Sequence, residues 1–210
     1  MYIPPHFEVS DVATMQALMR EHPLGGWVTH DDGGLTANHI PFLLDPSRGE
    51  FGTLMGHVAR ANPVWQSFSK SVDSLVIFQG PQAYVTPSWY PAKREHGRVV
   101  PTWNYVVVHA HGMPRAIEDQ DWLVRHVEQQ TSVRESGQEM PWKVTDAPSD
   151  FIDAMLRAIV GIEIPLTRLT GKWKVSQNRT AADRQGVVKG LLAQGDDASQ
   201  AMAQIVKNAG

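Results

Sequence analysis

The chain contains no cysteine among its 210 residues. That excludes disulfides, thiolate metal sites, iron–sulfur clusters and a cysteine nucleophile, and it makes a reducing compartment the simplest home. No apolar run approaches the roughly 20 residues that a membrane helix needs. Met1 to Phe7 shows no positive leader followed by an apolar stretch and a small-residue cleavage site. The expectation is a cytoplasmic protein with no membrane partner. The familiar nucleotide loops are missing as well. Gly171-Lys172 is preceded by Leu166 where the first glycine of a P-loop must stand, and Trp173 follows where the metal-binding hydroxyl belongs. No Gly-x-Gly-x-x-Gly follows a strand, and the Gly-x-Ser-x-Gly elbow of serine hydrolases is absent. Any bound nucleotide must therefore be held by side chains and strand-edge amides.

What is present is an ordinary globular composition, 42% hydrophobic and 20% charged, in a chain long enough to bury its own core. The net charge of −3 argues against coating nucleic acid through bulk positive charge. It is unevenly spread: from Arg168 to Lys189 the chain is +5, and the remainder is −8.

Ser10 or Asp11 can cap a helix carrying Val12, Met15, Leu18 and Met19 at helical spacing, ended by His22-Pro23. From Gly26 to Gly112 short β-rich runs follow: Gly26–His30, Leu35–Leu44, Phe51–Val58, Ser74–Gln79, Gln82–Pro87 and Trp103–Gly112, with turns at 31–34, 45–49 and Gly80-Pro81. Residues 59–71 have room for a helical turn, and the loop from Pro87 to Pro101 has the length of a functional or mobile segment. Helical patterns then cover 119–130 and 149–159, a β pattern covers 160–169, and the tail from Ala181 to Asn208 is helical with a break at Gly195-Asp196-Asp197. Strands at this spacing, without long helices between them, predict a mainly β fold with peripheral helices: an α+β protein built on an antiparallel barrel. The division expected is a barrel domain over 1–170 and a basic, helical appendage over 171–210.

Four segments carry candidate chemistry. Leu35 to Phe42 is a strand with an internal proline, which breaks or edges the sheet and frees backbone groups for a ligand; an ordinary edge strand reads the same way. Gly56 to Pro63 places His57, Arg60 and Asn62 at a strand end, groups suited to phosphate, although a charged surface turn would also contain them. On the strand from Trp103 to His111, alternation puts Trp103, Tyr105, Val107, His109 and His111 on one face. Its His-x-His pair has no third ligand spaced to complete a metal site, so an aromatic sheet face is the simpler reading. Lys172 to Arg179 mixes cations, amides and a hydroxyl in a density that fits a phosphate or a heteroaromatic edge, or a solvated basic face.

These segments, with Met1 to Phe7, Ala83 to Tyr90 and Val100 to Tyr105, closely resemble the PaiB family of FMN-binding negative transcriptional regulators, in the family's order and over nearly the whole chain. The resemblance implies an antiparallel split β-barrel related to pyridoxamine-phosphate oxidase, a homodimer, and FMN in clefts at the dimer interface. It implies that His57, Arg60 and Asn62 serve the FMN phosphate and ribityl chain and that His39 lies at the isoalloxazine edge. Lys174, Ser176, Gln177 and Arg179 form a second set from the same or the other subunit, and Trp103, Asn104 and Tyr105 line the cleft.

Two functions follow from this. One is a regulator that senses a flavin or small-molecule state; no helix-turn-helix is legible and the chain is acidic, so action through a small molecule or protein partner fits better than direct DNA binding. The other is a flavin reductase or oxidase-like oxidoreductase, with the 87–101 loop as a gate. Haem binding through one of the nine histidines is a weaker third reading, because no attachment motif is present.

Overall fold

A computed structural model describes residues 1–209. In chain order the elements are β1 (Glu8–Val9), α1 (Val12–Glu21), β2 (Leu24–Asp31), β3 (Gly34–Pro41), β4 (Leu43–Asp45), β5 (Thr53–Ala59), α2 (Val64–Ser67), β6 (Ser74–Val85), α3 (Ala92–Glu95), β7 (Thr102–Gly112), β8 (Arg115–Ile117), α4 (Gln120–Glu135), α5 (Ser149–Arg157), β9 (Ile159–Lys174), α6 (Ala181–Gln194) and α7 (Asp197–Asn208). The strands run β3-β2-β6-β7-β9-β5-β4, with β1 and β8 also pairing with β9. The ladders of β2 with β3 and β6, of β5 with β4 and β9, and of β9 with β1 and β8 are antiparallel. The path does not close on itself, so the barrel is split, as the short turn-bounded runs and the resemblance predict.

Helices α1, α4 and α7 start where a side chain satisfies a free N–H group. Asp11 accepts from Thr14 N at 2.8 Å, Asp119 from Trp122 N at 2.7 Å, and Asp196 from Ser199 N at 2.9 Å. The break expected near Gly195 separates α6 from α7. Pro41 ends β3, and the amide of the next residue, Phe42, leaves the ladder to donate to the Pro23 carbonyl at 2.9 Å. The sheet is thus interrupted where a proline cannot donate.

Two expectations are corrected. Gly80-Pro81 is no turn: β6 passes straight through it as a single strand. Gly80 gives room for Leu18 and Val106 to press against the backbone, so the glycine serves packing rather than reversal. The segment after Pro87 is anchored as well as looped, because it holds a 3-10 turn at Pro87–Trp89 and then α3. Tyr90 is 2% exposed, and the Ala92 amide donates to the Asp183 side chain at 3.3 Å.

Two compact units divide the chain. One comprises Met1–His22, Phe78–His109 and Thr170 onward; the other comprises Pro23–Ile77 and Ala110–Leu169. The first buries Met15, Leu18, Phe78, Val106, Val187 and Met202, while the second buries Trp27, Leu54, Phe68, Val76, Ile162 and Ile164. β9 continues through residue 170 to Lys174, so the basic stretch begins inside a strand. No helix among the described residues is long and apolar enough to cross a membrane.

Candidate functional site

In the second unit, three stretches far apart in sequence line one cavity of about 370 Å³: Asn38 to Pro41 from β3, His57 to Ala59 with Asn62 from the end of β5, and Ile159 from the start of β9. Antiparallel pairing of β5 with β9, with Ala59 opposite Ile159, brings the last two together. Of the residues proposed from sequence, His39, His57 and Asn62 meet here.

The amides around this cavity are oriented by the chain. Asn62 Oδ1 accepts the Val64 N–H at 3.0 Å, which turns its Nδ2 toward Asn38 Oδ1 at 2.8 Å. Asn38 Nδ2 is then left as a buried donor with no partner among the described residues. A donor in that condition costs roughly 1–3 kcal/mol unless an acceptor arrives. Sequence reasoning did not single out Asn38, although it lies in the strand quoted for His39; the signal is its pairing with Asn62, visible only in three dimensions.

Behind the cavity stands a chain of buried and half-buried polar contacts that ends at the exposed Arg48. His57 Nδ1 lies 3.1 Å from His126 Nε2 on α4. The His126 ring stacks on Trp122, 5.0 Å between centroids and 18° between planes. Trp122 Nε1 donates to Glu163 at 3.0 Å, and Arg48 holds that carboxylate through contacts of 2.6 and 3.1 Å. Trp122 can lie flat on β9 because Gly161 has no side chain there. The Arg48 guanidinium holds the Glu163 carboxyl below its ordinary range. Burial pushes His57 down, and burial with the neighbouring His57 pushes His126 down to about 4, so His126 is neutral at physiological pH. Sequence analysis missed the roles of His126, Trp122 and Glu163 as well, because helical and strand periodicity mark a buried face without naming its partner.

Arg60 is placed differently from the phosphate-facing group expected. Its Nε donates to the Arg157 carbonyl at 2.9 Å, Nη1 to Glu118 at 2.6 Å, and Nη2 to the Ile159 carbonyl at 3.2 Å. The guanidinium is committed to tying the end of β5 to the chain around β9, beside a carboxylate that would repel a phosphate.

The remaining candidates belong to the first unit. Strand alternation splits Trp103, Asn104 and Tyr105 between faces. Trp103 is 52% exposed and stands edge-on to Tyr84, whereas Asn104 is buried and bonded to Ser176 at 2.9 Å. Tyr105 lies under the Lys172 ammonium, 5.4 Å from ring to nitrogen. Ser176 takes a left-handed backbone, φ 65°, which the Asn104 bond helps hold. Gln177 folds back on its own turn, accepting from Val175 N and donating to the Trp173 carbonyl. The cations are the groups with chemistry to spare: Lys174 Nζ reaches only as far as Thr102 Oγ1, and Arg179 lies over Tyr90. Burial holds the Lys174 ammonium below the ordinary lysine range against the pull of Tyr105, and Lys172 and Arg179 add to the depression. Burial is the larger cause, and the two neighbouring cations are the smaller one.

A family model described as "Putative FMN-binding domain" matches residues 1–168. The Bacillus subtilis protease synthase and sporulation protein PAI 2, or PaiB, is 31% identical over 99% of this chain and 97% of its own. The chain belongs to the PaiB family. An uncharacterised protein of Emericella nidulans also matches at 34% identity over 100% of this chain and 98% of its own. Among solved structures, this PaiB-family chain resembles the flavocytochrome Anf3 from Azotobacter vinelandii, with a TM-score of 0.60 at 11% identity over 82% of this chain and 72% of that one. It also resembles an FAD and haem binding protein from Mycobacterium smegmatis, with a TM-score of 0.58 at 13% identity over 80% and 73% of the two chains. At such identities the likeness is one of fold. The description of the matching family model and the names of these two proteins both point to a flavin-binding fold.

Proposed function

We propose that this PaiB-family chain binds FMN at the cavity lined by Asn38, His39, His57 and Asn62, and that it acts as a homodimeric, flavin-responsive regulator in the cytoplasm. The observation that carries the binding is the unpartnered, oriented Asn38 Nδ2 donor at a cavity already bordered by an imidazole and a second amide. The pyrimidine edge of an isoalloxazine ring is rich in carbonyl and imine acceptors, and these residues fit it. Lys174 and Arg179 are the groups best suited to the phosphate, because an anion would relieve their mutual repulsion. Bound FMN would supply a ring able to accept and return electrons; the chain's part is to orient it and to set its electrostatics.

Regulation is favoured because the name of the Bacillus subtilis relative refers to cellular programmes, protease synthesis and sporulation, rather than to a reaction. Two other basic residues of the C-terminal part spend their charge internally: Lys172 donates to the Tyr2 carbonyl at 3.1 Å, and Arg184 donates to the Arg179 carbonyl at 3.0 Å. This favours a small-molecule or protein partner over direct DNA contact. The second reading, a flavin-dependent oxidoreductase, is favoured by the exposure of His39 at the cavity, which leaves a face for a second reactant.

The purified protein titrated with FMN should show a perturbed flavin absorption band and quenched flavin fluorescence at a one-to-one ratio per chain. An unchanged spectrum up to millimolar protein defeats the binding proposal. Catalytic consumption of NAD(P)H by the loaded protein would move the function to the second reading.

A further inference from the structure

His126 takes no part in lining the cavity, yet it contacts His57, which does. Only one proton can lie between His57 Nδ1 and His126 Nε2, 3.1 Å apart. If His57 supplied it, His126 would carry its own proton on Nδ1, an atom that is buried and has no hydrogen-bond partner among the described residues. An orphaned buried N–H is among the rarer features of folded proteins, because the donor loses its water and gains nothing. If His126 supplies it, the Nδ1 atom keeps only a lone pair, and the orphan is an under-used acceptor rather than a stranded donor. The ring has little freedom to choose another geometry, since it is 3% exposed and stacked on a Trp122 that Glu163 and Arg48 hold in turn.

We infer that His126 is a positioning residue that holds His57 as the Nε2–H tautomer, so that the cavity offers two oriented donors, His57 Nε2–H and Asn38 Nδ2–H, and selects ligands whose facing edge carries hydrogen-bond acceptors. The assignment of those acceptors to a flavin ring rests on the function proposed above, but the tautomer does not. The groups facing the His pair are few: Trp122 stacks on His126, and the polar neighbours of His57 at the cavity are Asn38, His39 and Asn62. The nearest ion pair, Arg48 with Glu163, is self-neutralising.

The test separates the two layers. Long-range proton–nitrogen correlation spectra of ¹⁵N-labelled protein without ligand, at pH 7.5, should show both rings neutral and both protonated at Nε2. A His57 protonated at Nδ1, or a doubly protonated His126, overturns the inference. His126→Phe keeps the stack on Trp122 but removes the donor. His57 should then populate both tautomers, and the FMN dissociation constant should rise about three- to tenfold, the equivalent of one neutral hydrogen bond. His126→Gln returns an N–H donor and should recover most of the affinity. Equal losses in both variants, or no loss in His126→Phe, would also overturn it. Absence of flavin binding by the unaltered protein would defeat the proposed function alone, with the tautomer still decided by the spectra.

Discussion

At the scale of single residues, burial disfavours the charged form of both His126 and Lys174. His126 is neutral in the folded protein, with its pKa pushed from 6.5 to about 4 by burial and by His57. Between those two values the unfolded chain binds a proton that the folded chain refuses. Stability is therefore complete above about pH 6.5 and falls as pH drops toward 4, by about 3 kcal/mol from this residue at about 1.4 kcal/mol per unit. His57 is shifted the same way and adds to the loss. Melting temperatures from pH 8 to pH 4 should fall steeply for the natural protein and more gently for His126→Phe; parallel curves would show that the pair does not carry the effect. Lys174 instead stands among cations, and an arriving phosphate should settle it. Lys174→Met should weaken FMN about ten- to a hundredfold, the range for a charge-assisted bond, and leave riboflavin nearly unchanged. Arg60→Ala should behave in the reverse way. It loses the Glu118 ion pair and two carbonyl bonds, lowers stability by about 1–2 kcal/mol, and spares the preference for FMN. Selective loss of FMN binding in Arg60→Ala would move the phosphate to that end of β5.

At the scale of elements, the contact that anchors the segment after β6 is Trp89 against α6. Gly186 and Gly190 lie one helical turn apart on α6, and a methyl group at either would overlap Trp89. Alanine ordinarily stabilises a helix relative to glycine by about 1 kcal/mol. Here overpacking reverses the sign, and Gly190→Ala should destabilise by about 1–3 kcal/mol. Chemical denaturation checks this, and a stabilised variant would show that Trp89 can move aside. A gate hinged in this segment must therefore lie toward residues 96–101, where side chains are largely exposed, and not at Trp89 or Tyr90.

At the scale of the whole molecule, the exposed aromatic pair Tyr84 and Trp103 remains the surface best suited to a twofold contact. Light scattering at micromolar concentration should return twice the 23.3 kDa of one chain, and Trp103→Glu should shift the mass toward the monomer. A single-chain mass for the natural protein would remove the dimer from the proposed function.

Local chemistry was enough, read from the sequence, for the class of fold and most of its elements. The cap at Asp11, the proline at position 41 and alternation along β7 act within a few residues, so a linear pattern records them. The family was legible for a related reason, since it rests on short segments kept in order. Tertiary structure alone decided which of these segments share a site. His57 could be chosen as a site residue from its neighbours in sequence, but His126 is 69 positions away and enters only because α4 packs behind β5. Arg60 looked free beside Asn62 until Glu118 and the carbonyls of Arg157 and Ile159 came within reach of its three nitrogens. Gly80-Pro81 looked like a turn because turn signals are local, whereas the neighbours that keep β6 straight, Leu18 and Val106, arrive from α1 and β7. In each case the deciding term is a side chain brought in from a distant part of the chain, and a one-dimensional pattern holds no record of it.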